Sequence, residues 1–147
     1  DHLLGLIKWA SDNEIKKVAI HIITDGRDTP AKSASKYLNQ IESCIKKFNT
    51  GEIASICGRY WIMDRNLLWD RTEKAYANLT DPDIKVTNIS PQDYIKKSYG
   101  KNITDEFIEP IRIVEPFESS ITLSFALSLI ISKSKCLISC LCKSKDI

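Results

Sequence analysis

Two short segments of the sequence pair arginine with aspartate directly after an apolar run. Residues 25–28 read Asp-Gly-Arg-Asp, and residues 58–65 read Gly-Arg-Tyr-Trp-Ile-Met-Asp-Arg. An arginine offers a planar fork of donors that fits phosphate or carboxylate. An adjacent aspartate can orient that fork or carry protons. The two segments therefore predict a site for a small substrate with two anionic groups.

The apolar runs before these segments predict the strands that must position them. Residues 18–23 are β-branched and apolar, as buried parallel strands are, and residues 53–57 repeat this character. Between them, residues 34–48 carry apolar side chains at helical spacing, with Ser33 or Ser35 as the candidate N-cap. A β-loop-α-β unit is almost always a right-handed crossover with parallel strands. Both arginine segments then lie at the sheet edge where α/β proteins bind ligands.

The remaining pattern predicts further helices and short strands around this unit. Helices are expected over residues 3–17, 64–79 and 91–99, and short strands at residues 85–89 and 111–114. The fold class is therefore α/β, with a partial parallel sheet and flanking helices.

The bulk composition excludes several classes of function. The 147 residues have room for one domain, and a net charge of +2 is too small to indicate a nucleic-acid or membrane partner. The apolar run 121–131 is short of the ~20 residues that span a bilayer. The odd set of five cysteines is no disulfide framework, which favours a reducing, cytoplasmic compartment. These cysteines are Cys44, Cys57, Cys136, Cys140 and Cys142.

Three co-linear segments resemble the signatures of one enzyme family. Residues 20–34 closely resemble the His-x-x-x-Asp-Gly-Arg-Asp-Thr-Pro-Pro-x-Ser signature of the cofactor-independent (2,3-bisphosphoglycerate-independent) phosphoglycerate mutases. Residues 58–65, with 69–71 and 74–76 after them, are similar to a second signature of that family, and residues 104–110 to a third. The segments occur in the family's order and at its spacing.

The resemblance implies a fragment of the inserted substrate-binding (transferase) domain of a two-domain mutase of the alkaline phosphatase superfamily. Such an enzyme is an isomerase of glycolysis that interconverts 3-phosphoglycerate and 2-phosphoglycerate. A metal-bound serine in its phosphatase domain takes the phosphoryl group and returns it to the other hydroxyl. The resemblance implies two divalent metal ions, with manganese expected, and no metal ligands in this chain. It also implies a cytoplasmic, monomeric parent enzyme whose partner is the small-molecule substrate.

Carried over position by position, the resemblance implies roles for four residues of this sequence. Arg27 would bind substrate, and Asp28 would both bind substrate and act catalytically near its hydroxyls as a general acid or base. Arg59 and Arg65 would hold the phosphate or carboxylate. The alternative is that Arg27 and Asp28 pair with each other on an exposed loop. Asp25 is expected to close its turn rather than to catalyse, as aspartates commonly do.

Other polar residues near the motifs are given structural interpretations. His21 lies inside an apolar strand and is expected to be a satisfied core histidine, with a ligand or proton-shuttle role as the alternative. Arg71 is expected to be a surface or packing residue, and Asp64 a helix cap. Tyr60 and Trp61 are expected to form core or cleft wall.

The sequence changes in character near residue 118. We divide the chain into residues 1–117, a partial substrate-binding α/β domain, and residues 118–147, an atypical low-complexity tail without glycine or proline. A family motif with two arginines three apart should fall near residues 130–140, where no arginine occurs. The hypothesis is that the tail is out of frame, from a translated intron or frameshift, or disordered.

Two other functions remain as alternatives to the mutase. The chain could be a non-enzymatic phosphometabolite-binding fragment, or a degenerate product with neither activity. The family's phosphoserine and metal ligands have no match in this sequence. We therefore expect no mutase turnover from this chain alone.

Overall fold

The computed structural model describes residues 2–15, 17–114, 125–130 and 139–140. The helices are α1 (His2–Asp12), α2 (Ala34–Phe48), α3 (Arg59–Ile62), α4 (Trp69–Thr80) and α5 (Pro91–Gly100), and a 3-10 turn spans Asp105–Phe107. The strands are β1 (Val18–Thr24), β2 (Glu52–Gly58), β3 (Ile111–Arg112), β4 (Phe125–Ile130) and β5 (Ser139–Cys140).

The strands form one mixed sheet in the order β3-β2-β1-β4-β5. The central strand β1 pairs in parallel with β2 and with β4. The edge strands β3 and β5 run antiparallel to their neighbours. The α/β class with flanking helices is confirmed, whereas the sheet is mixed rather than wholly parallel. The strands β4 and β5 lie in the predicted tail, and the rest of residues 118–147 lies outside the described residues.

One cluster of buried apolar side chains joins the helices to β1 and β2. Its members alternate along β1 and recur at helical spacing along α1 and α2, as the period-2 and period-3.6 patterns require. The most deeply buried are Ile7, Ile20, Leu38, Ile56, Ile95 and Ile108. The core therefore fixes the strands whose ends carry the arginine motifs. No helix in the described ranges has both the length and the apolar character to cross a membrane.

The two ends of α2 are formed in different ways, one by a residue of the local sequence and one by a residue distant in the chain. Asn49 ends the helix in the left-handed conformation, with φ of 48°, which is common at the C-terminal ends of helices. Ser33 occupies the N-cap position, as expected, but its side chain makes no cap hydrogen bond. The carboxylate of Asp105 instead accepts the backbone N–H groups of Ser33 and Ala34, both at 2.8 Å. The helix is therefore capped by a side chain distant in sequence.

Two predicted helices have the wrong bounds. The helix predicted over residues 3–17 ends at Asp12, because the chain turns through Glu14 at φ of 54°. The helix predicted over residues 64–79 starts only at Trp69. Asp64 Oδ2 accepts the backbone N–H groups of Asn66 and Leu68. Such side-chain bonds compete with helical ones, so residues 64–68 form a turn.

The predicted strand at residues 85–89 is wrong, because this segment makes only one backbone hydrogen bond to β3, from Thr87 N to Arg112 O at 2.9 Å. The buried Arg112 side chain donates to the carbonyls of Ala77, Asn78 and Ile84 instead. Two of these carbonyls belong to the last turn of α4, where a helix favours a cation. Arg112 therefore joins α4, the following loop and β3.

Candidate functional site

The two arginine motifs begin side by side at one edge of the sheet. β1 ends at Thr24 and β2 ends at Gly58, and these two residues are register partners in the parallel ladder. The loop after β1 carries residues 25–28, and α3 starts directly after Gly58 with Arg59. The juxtaposition predicted from the crossover rule is confirmed.

The third motif forms the floor between the first two, a contact that the sequence did not predict. Thr24 Oγ1 donates to the carbonyl of Asp105 at 2.6 Å, and Gly58 N donates to the carbonyl of Ile108 at 2.7 Å. A Cβ at Gly58 would lie 2.3 Å from Glu106 O, and one at Gly26 would lie 2.6 Å from Glu106 N. Both glycines are therefore needed for this close approach.

Arg59 joins the two arginine motifs through an ion-pair cluster with two carboxylates. Its Nη1 donates to Asp25 Oδ1 and to Asp28 Oδ2, the latter at 2.8 Å. The Arg59 side chain is 13% exposed, Asp25 is 1% exposed and Asp28 is 51% exposed. One guanidinium thus connects a buried carboxylate to one that faces solvent.

The cluster shifts the titration of its members in opposite directions. Burial of Asp25 favours its neutral form, but the hydrogen bonds from Arg59 and from the Asp28 amide outweigh burial and hold the Asp25 pKa below its usual range. The hydrogen bond to Asp28, opposed by burial and supported by Asp25, raises the pKa of Arg59. Both shifts favour the charged forms, so the Arg59–Asp25 pair is ionic at neutral pH.

Asp25 is only half satisfied by the residues around it. Its Oδ1 accepts Arg59 and, at 3.4 Å, the backbone N–H of Asp28. Its Oδ2 is buried and receives no hydrogen bond from any residue in the described ranges. Asp25 also lines a small cavity whose polar wall includes Thr29 and Ser33. Asp25 does close its turn, as expected, but its main partner is Arg59.

Arg27 faces solvent beside this cluster. Its side chain is 70% exposed, and the carboxylate it approaches is Glu106, at 4.0 Å from Nη1 to Oε1. The alternative in which Arg27 pairs with Asp28 is wrong, because Asp28 pairs with Arg59. The Arg27 fork is thus exposed on the loop whose Asp25 and Asp28 contact Arg59, and such an exposed fork can bind an anion.

Arg65 lies apart from the other predicted site residues. It is exposed, and within the described part of the chain it forms no ion pair. The turn closed by Asp64 separates it from Arg59. The structure brings Asp28 and Arg59 together, places Arg27 beside them, and leaves Arg65 without contact to the cluster.

An aromatic wall packs between α3, α4 and the third motif. The Arg71 guanidinium stacks over the Tyr60 ring at 3.8 Å, and Lys74 lies 4.5 Å from the Trp61 ring centre. Tyr60 also contacts Phe107, with ring centres 4.9 Å apart. The interpretation of Arg71 as a packing residue is confirmed. Tyr60 and Trp61 are half-buried and lie outside the buried core, and their place in a cleft wall stays a prediction. Asp64 closes the turn before α4 rather than capping its first helical turn.

His21 belongs to the sheet rather than to the site. Its Nδ1 lies 2.8 Å from Ser55 Oγ on the neighbouring strand. Burial, with a smaller contribution from the charge of Arg112, lowers the His21 pKa. The expectation of a satisfied core histidine is confirmed.

Metal binding finds no support in this set of side chains. Over the described ranges, no three His, Cys, Asp or Glu side chains are grouped so that they could hold a metal ion. The carboxylates nearest to the strand ends, Asp25 and Asp28, are engaged with Arg59. The arrangement can bind and orient anions, but it does not fit a resident metal.

The domain is an α/β sheet with two arginine motifs at the ends of neighbouring strands, and comparison with known proteins gives its family. Residues 1–124 match the family described as the BPG-independent PGAM N-terminus. The chain therefore belongs to this family.

Individual relatives agree with the family match. The chain is 76% identical over 117 residues to the 2,3-bisphosphoglycerate-independent phosphoglycerate mutase of Prochlorococcus marinus subsp. pastoris, covering 80% of this chain and 22% of the relative. It is 52% identical over 113 residues to the protein of the same name from Prochlorococcus marinus strain MIT 9313, covering 77% and 21%. The chain thus spans about a fifth of the length of these relatives.

A solved structure shares the fold. The phosphoglycerate mutase of Leishmania mexicana, crystallised at low cobalt concentration, superposes with a TM-score of 0.69 at 23% identity. The match covers 80% of this chain and 24% of the Leishmania chain. At this identity the likeness establishes the α/β fold independently of the sequence motifs.

Proposed function

We propose that this chain is part of the substrate-binding domain of a 2,3-bisphosphoglycerate-independent phosphoglycerate mutase, which interconverts 3-phosphoglycerate and 2-phosphoglycerate in glycolysis. The observation that carries this proposal is the contact of Arg59 with Asp28 across two strand ends. Arg59 and Asp28 are 31 positions apart in the chain and are brought into contact by the fold. The relatives of this chain are named as mutases of this kind.

The arginines suit a substrate with two anionic groups. Arg59 donates to the two carboxylates through Nη1 alone, and its Nε and Nη2 have no hydrogen-bond partner in the described ranges. Arg27 presents an exposed fork on the adjacent loop. We assign Arg27, Arg59 and Arg65 to the phosphate and carboxylate of phosphoglycerate. Arg65 has to approach the cluster when the substrate is bound.

Asp28 is the proposed proton carrier of the reaction. Half of its side chain is exposed at the strand edge, and its Oδ2 contacts Arg59. A carboxylate beside the two glycerate hydroxyls can pass a proton between them as the phosphoryl group moves. Phosphoryl transfer depends mainly on positioning and charge stabilisation, which the arginines would supply.

The remaining chemistry belongs to parts of the parent enzyme beyond this chain. We propose a phosphatase domain there with the nucleophilic serine and two divalent metal ions, manganese being favoured. A divalent ion would stabilise the transferring phosphoryl group. The residues of this chain bind and orient the glycerate. We propose a monomeric, cytoplasmic parent enzyme with neither a nucleic-acid nor a membrane partner.

The short span of the chain favours a second candidate for the isolated polypeptide, a phosphometabolite-binding fragment without turnover. It covers about a fifth of its relatives' length. The division at residue 117 and the out-of-frame origin of residues 118–147 stay proposals. Comparing the transcript with the genomic exons tests them: a tail encoded in the normal frame of a spliced exon would contradict that origin.

An NMR titration of the whole 147-residue chain with 3-phosphoglycerate tests the proposed site. We expect saturable shifts at residues 25–28 and around Arg59. Arg59→Ala should weaken binding by roughly tenfold or more, because a charge-assisted hydrogen bond contributes about 1.5–3 kcal/mol.

Lys8→Ala is the matched control, since it removes one exposed positive charge from α1. Equal affinity of the wild-type chain and the Arg59→Ala variant would contradict the assigned site. A metal-dependent mutase rate from the purified chain would contradict the expectation of no turnover.

A further inference from the structure

The two carboxylates that share Arg59 differ in what each would lose if the guanidinium moved away. Asp28 is half exposed, so water can replace the arginine at its oxygens. Asp25 is buried, and its Oδ2 already lacks a donor from the described residues. Loss of Arg59 would leave Asp25 as a buried charge without a counter-ion, which is strongly unfavourable.

The backbone of the loop stabilises the Asp25 carboxylate less than Arg59 does. The Asp28 amide donates to Oδ1 at 3.4 Å, at the long limit for a hydrogen bond, and the Arg27 amide contributes less than either Arg59 or the Asp28 amide. The helix-capping Asp105, by comparison, accepts two backbone amides at 2.8 Å through its Oδ2. Asp25 therefore closes its turn only weakly, and Arg59 is its main partner.

We propose that Asp25 is a positioning residue that holds Arg59 at the strand ends, while Asp28 yields its contact with Arg59 to the arriving anion of the substrate. The holding of Arg59 concerns this chain alone, and the exchange at Asp28 rests on the proposed function. Asp25 keeps its contact with Arg59, whereas Asp28 gives its contact up. Arg59 therefore keeps its position while its donors bind the substrate. The same exchange frees Asp28 to face the glycerate hydroxyls.

The first test follows the Arg59 guanidinium by NMR in the full chain with labelled arginine, without any ligand. A guanidinium fixed by an ion pair rotates slowly and shows protected Nη protons. We expect this signal to persist in Asp28→Asn and to be lost in Asp25→Asn, while the backbone amide signals of β1 and β2 stay in place. The same signature in wild-type and Asp25→Asn chains, or its loss in Asp28→Asn alone, overturns the proposal.

The second test adds 3-phosphoglycerate. Asp25→Asn should weaken binding by roughly tenfold or more, as breaking a buried charge pair does, and Asp28→Asn should change it much less. If the wild-type chain does not bind 3-phosphoglycerate but Asp25→Asn alone releases Arg59, the proposed function fails and the positioning role stands. If the wild-type chain binds 3-phosphoglycerate and the Arg59 guanidinium signal is unchanged in Asp25→Asn, the positioning role fails and the proposed function stands.

A third measurement uses only the wild-type chain, so it tests the proposal even if Asp25→Asn does not fold. In the wild-type chain, couplings through the hydrogen bonds report contact between Arg59 Nη1 and the carboxylate carbons of Asp25 and Asp28. On addition of 3-phosphoglycerate we expect the Asp28 coupling to vanish and the Asp25 coupling to remain. Loss of the Asp25 coupling overturns the proposal.

Discussion

The cap of α2 and the cluster at the strand ends each contain a buried aspartate, and the two are satisfied in different ways. Asp105 accepts the backbone N–H groups of Ser33 and Ala34 through one oxygen and the Tyr99 hydroxyl, at 2.5 Å, through the other. Asp25 relies on the Arg59 guanidinium and leaves one buried oxygen without a donor among the described residues.

This difference separates a structural residue from a residue of the site. Neutral backbone and hydroxyl donors fix a carboxylate permanently, because none of them can move without breaking a helix end or a packed ring. A guanidinium on a flexible side chain can exchange one partner for another. A buried carboxylate oxygen without a donor calls for an explanation, and the one that we propose for Asp25 is a site that rearranges on binding.

The largest expected effect is the difference between the free energies of unfolding that are lost when Asp105 and Asp25 are each replaced by alanine. Asp105→Ala leaves two helix N–H groups and the Tyr99 hydroxyl without their acceptor, at about 1–3 kcal/mol for each buried group. We expect the free energy of unfolding to fall by about 3–5 kcal/mol. Asp25→Ala should cost less, about 1–2 kcal/mol, because it also removes a buried oxygen that has no donor among the described residues. Urea unfolding of both variants measures this difference, and equal losses would remove the distinction between the two aspartates.

A second prediction tests whether the two regions are joined through the close approach at Gly58. Gly58→Ala forces a Cβ against Glu106 O, so the third motif must move, at a cost of about 2–3 kcal/mol. Gly5→Ala is the matched control, because nothing lies within 4 Å of the added Cβ in α1. The control should gain about 0.5–1 kcal/mol of helix stability. If Gly58→Ala left the free energy of unfolding unchanged, the two regions would move independently.

The smallest expected effect concerns Tyr99, whose hydroxyl donates a hydrogen bond to Asp105. Burial, together with the Asp105 hydrogen bond, raises the pKa of Tyr99 above its ordinary value of 10.0. The folded state therefore retains the proton that the unfolded state releases, so this stability is complete below pH 10 and is lost as the pH rises further. Tyr99→Phe should cost about 1 kcal/mol at neutral pH and make the alkaline decline shallower.

Tyr94→Phe serves as a comparison: it should also make the alkaline decline shallower, because the Tyr94 pKa is raised, but it leaves the hydrogen bonds of Asp105 intact. Burial raises the pKa of Tyr94 to about 12, but its hydroxyl donates to a backbone carbonyl, that of Glu109, rather than to a carboxylate. Unfolding curves from pH 7 to pH 11 compare the two variants. An unchanged alkaline decline in Tyr99→Phe would show that the Tyr99–Asp105 bond does not contribute to stability.

The sequence predicted the parts of the fold that depend on local pattern and on chain topology. The β1-α2-β2 unit follows from periodicity, and the meeting of the two arginine motifs follows from the handedness of the crossover. The motifs also indicated Arg27, Asp28 and Arg59 as residues of one region. Their roles toward substrate stay predictions.

The parts that were missed depend on contacts between residues far apart in the chain. Asp105 caps α2 across 72 positions, and no local signal near Ser33 indicates a distant acceptor. Asp28 has Arg27 as its sequence neighbour, yet it pairs with Arg59, because the parallel ladder brings the two strand ends into register. The turn at residues 64–68 interrupts a good helical pattern, because one Asp64 oxygen captures two backbone amides.

The hydrogen bond from Thr24 to Asp105 joins residues 81 positions apart. Closing so long a loop costs little extra free energy, since each doubling of loop length adds only about 0.6 kcal/mol. Contacts of such high sequence separation nevertheless slow folding, because closure must precede any gain from them. We therefore expect the contacts beneath the arginine motifs to form late in folding, after β1, α2 and β2 have associated.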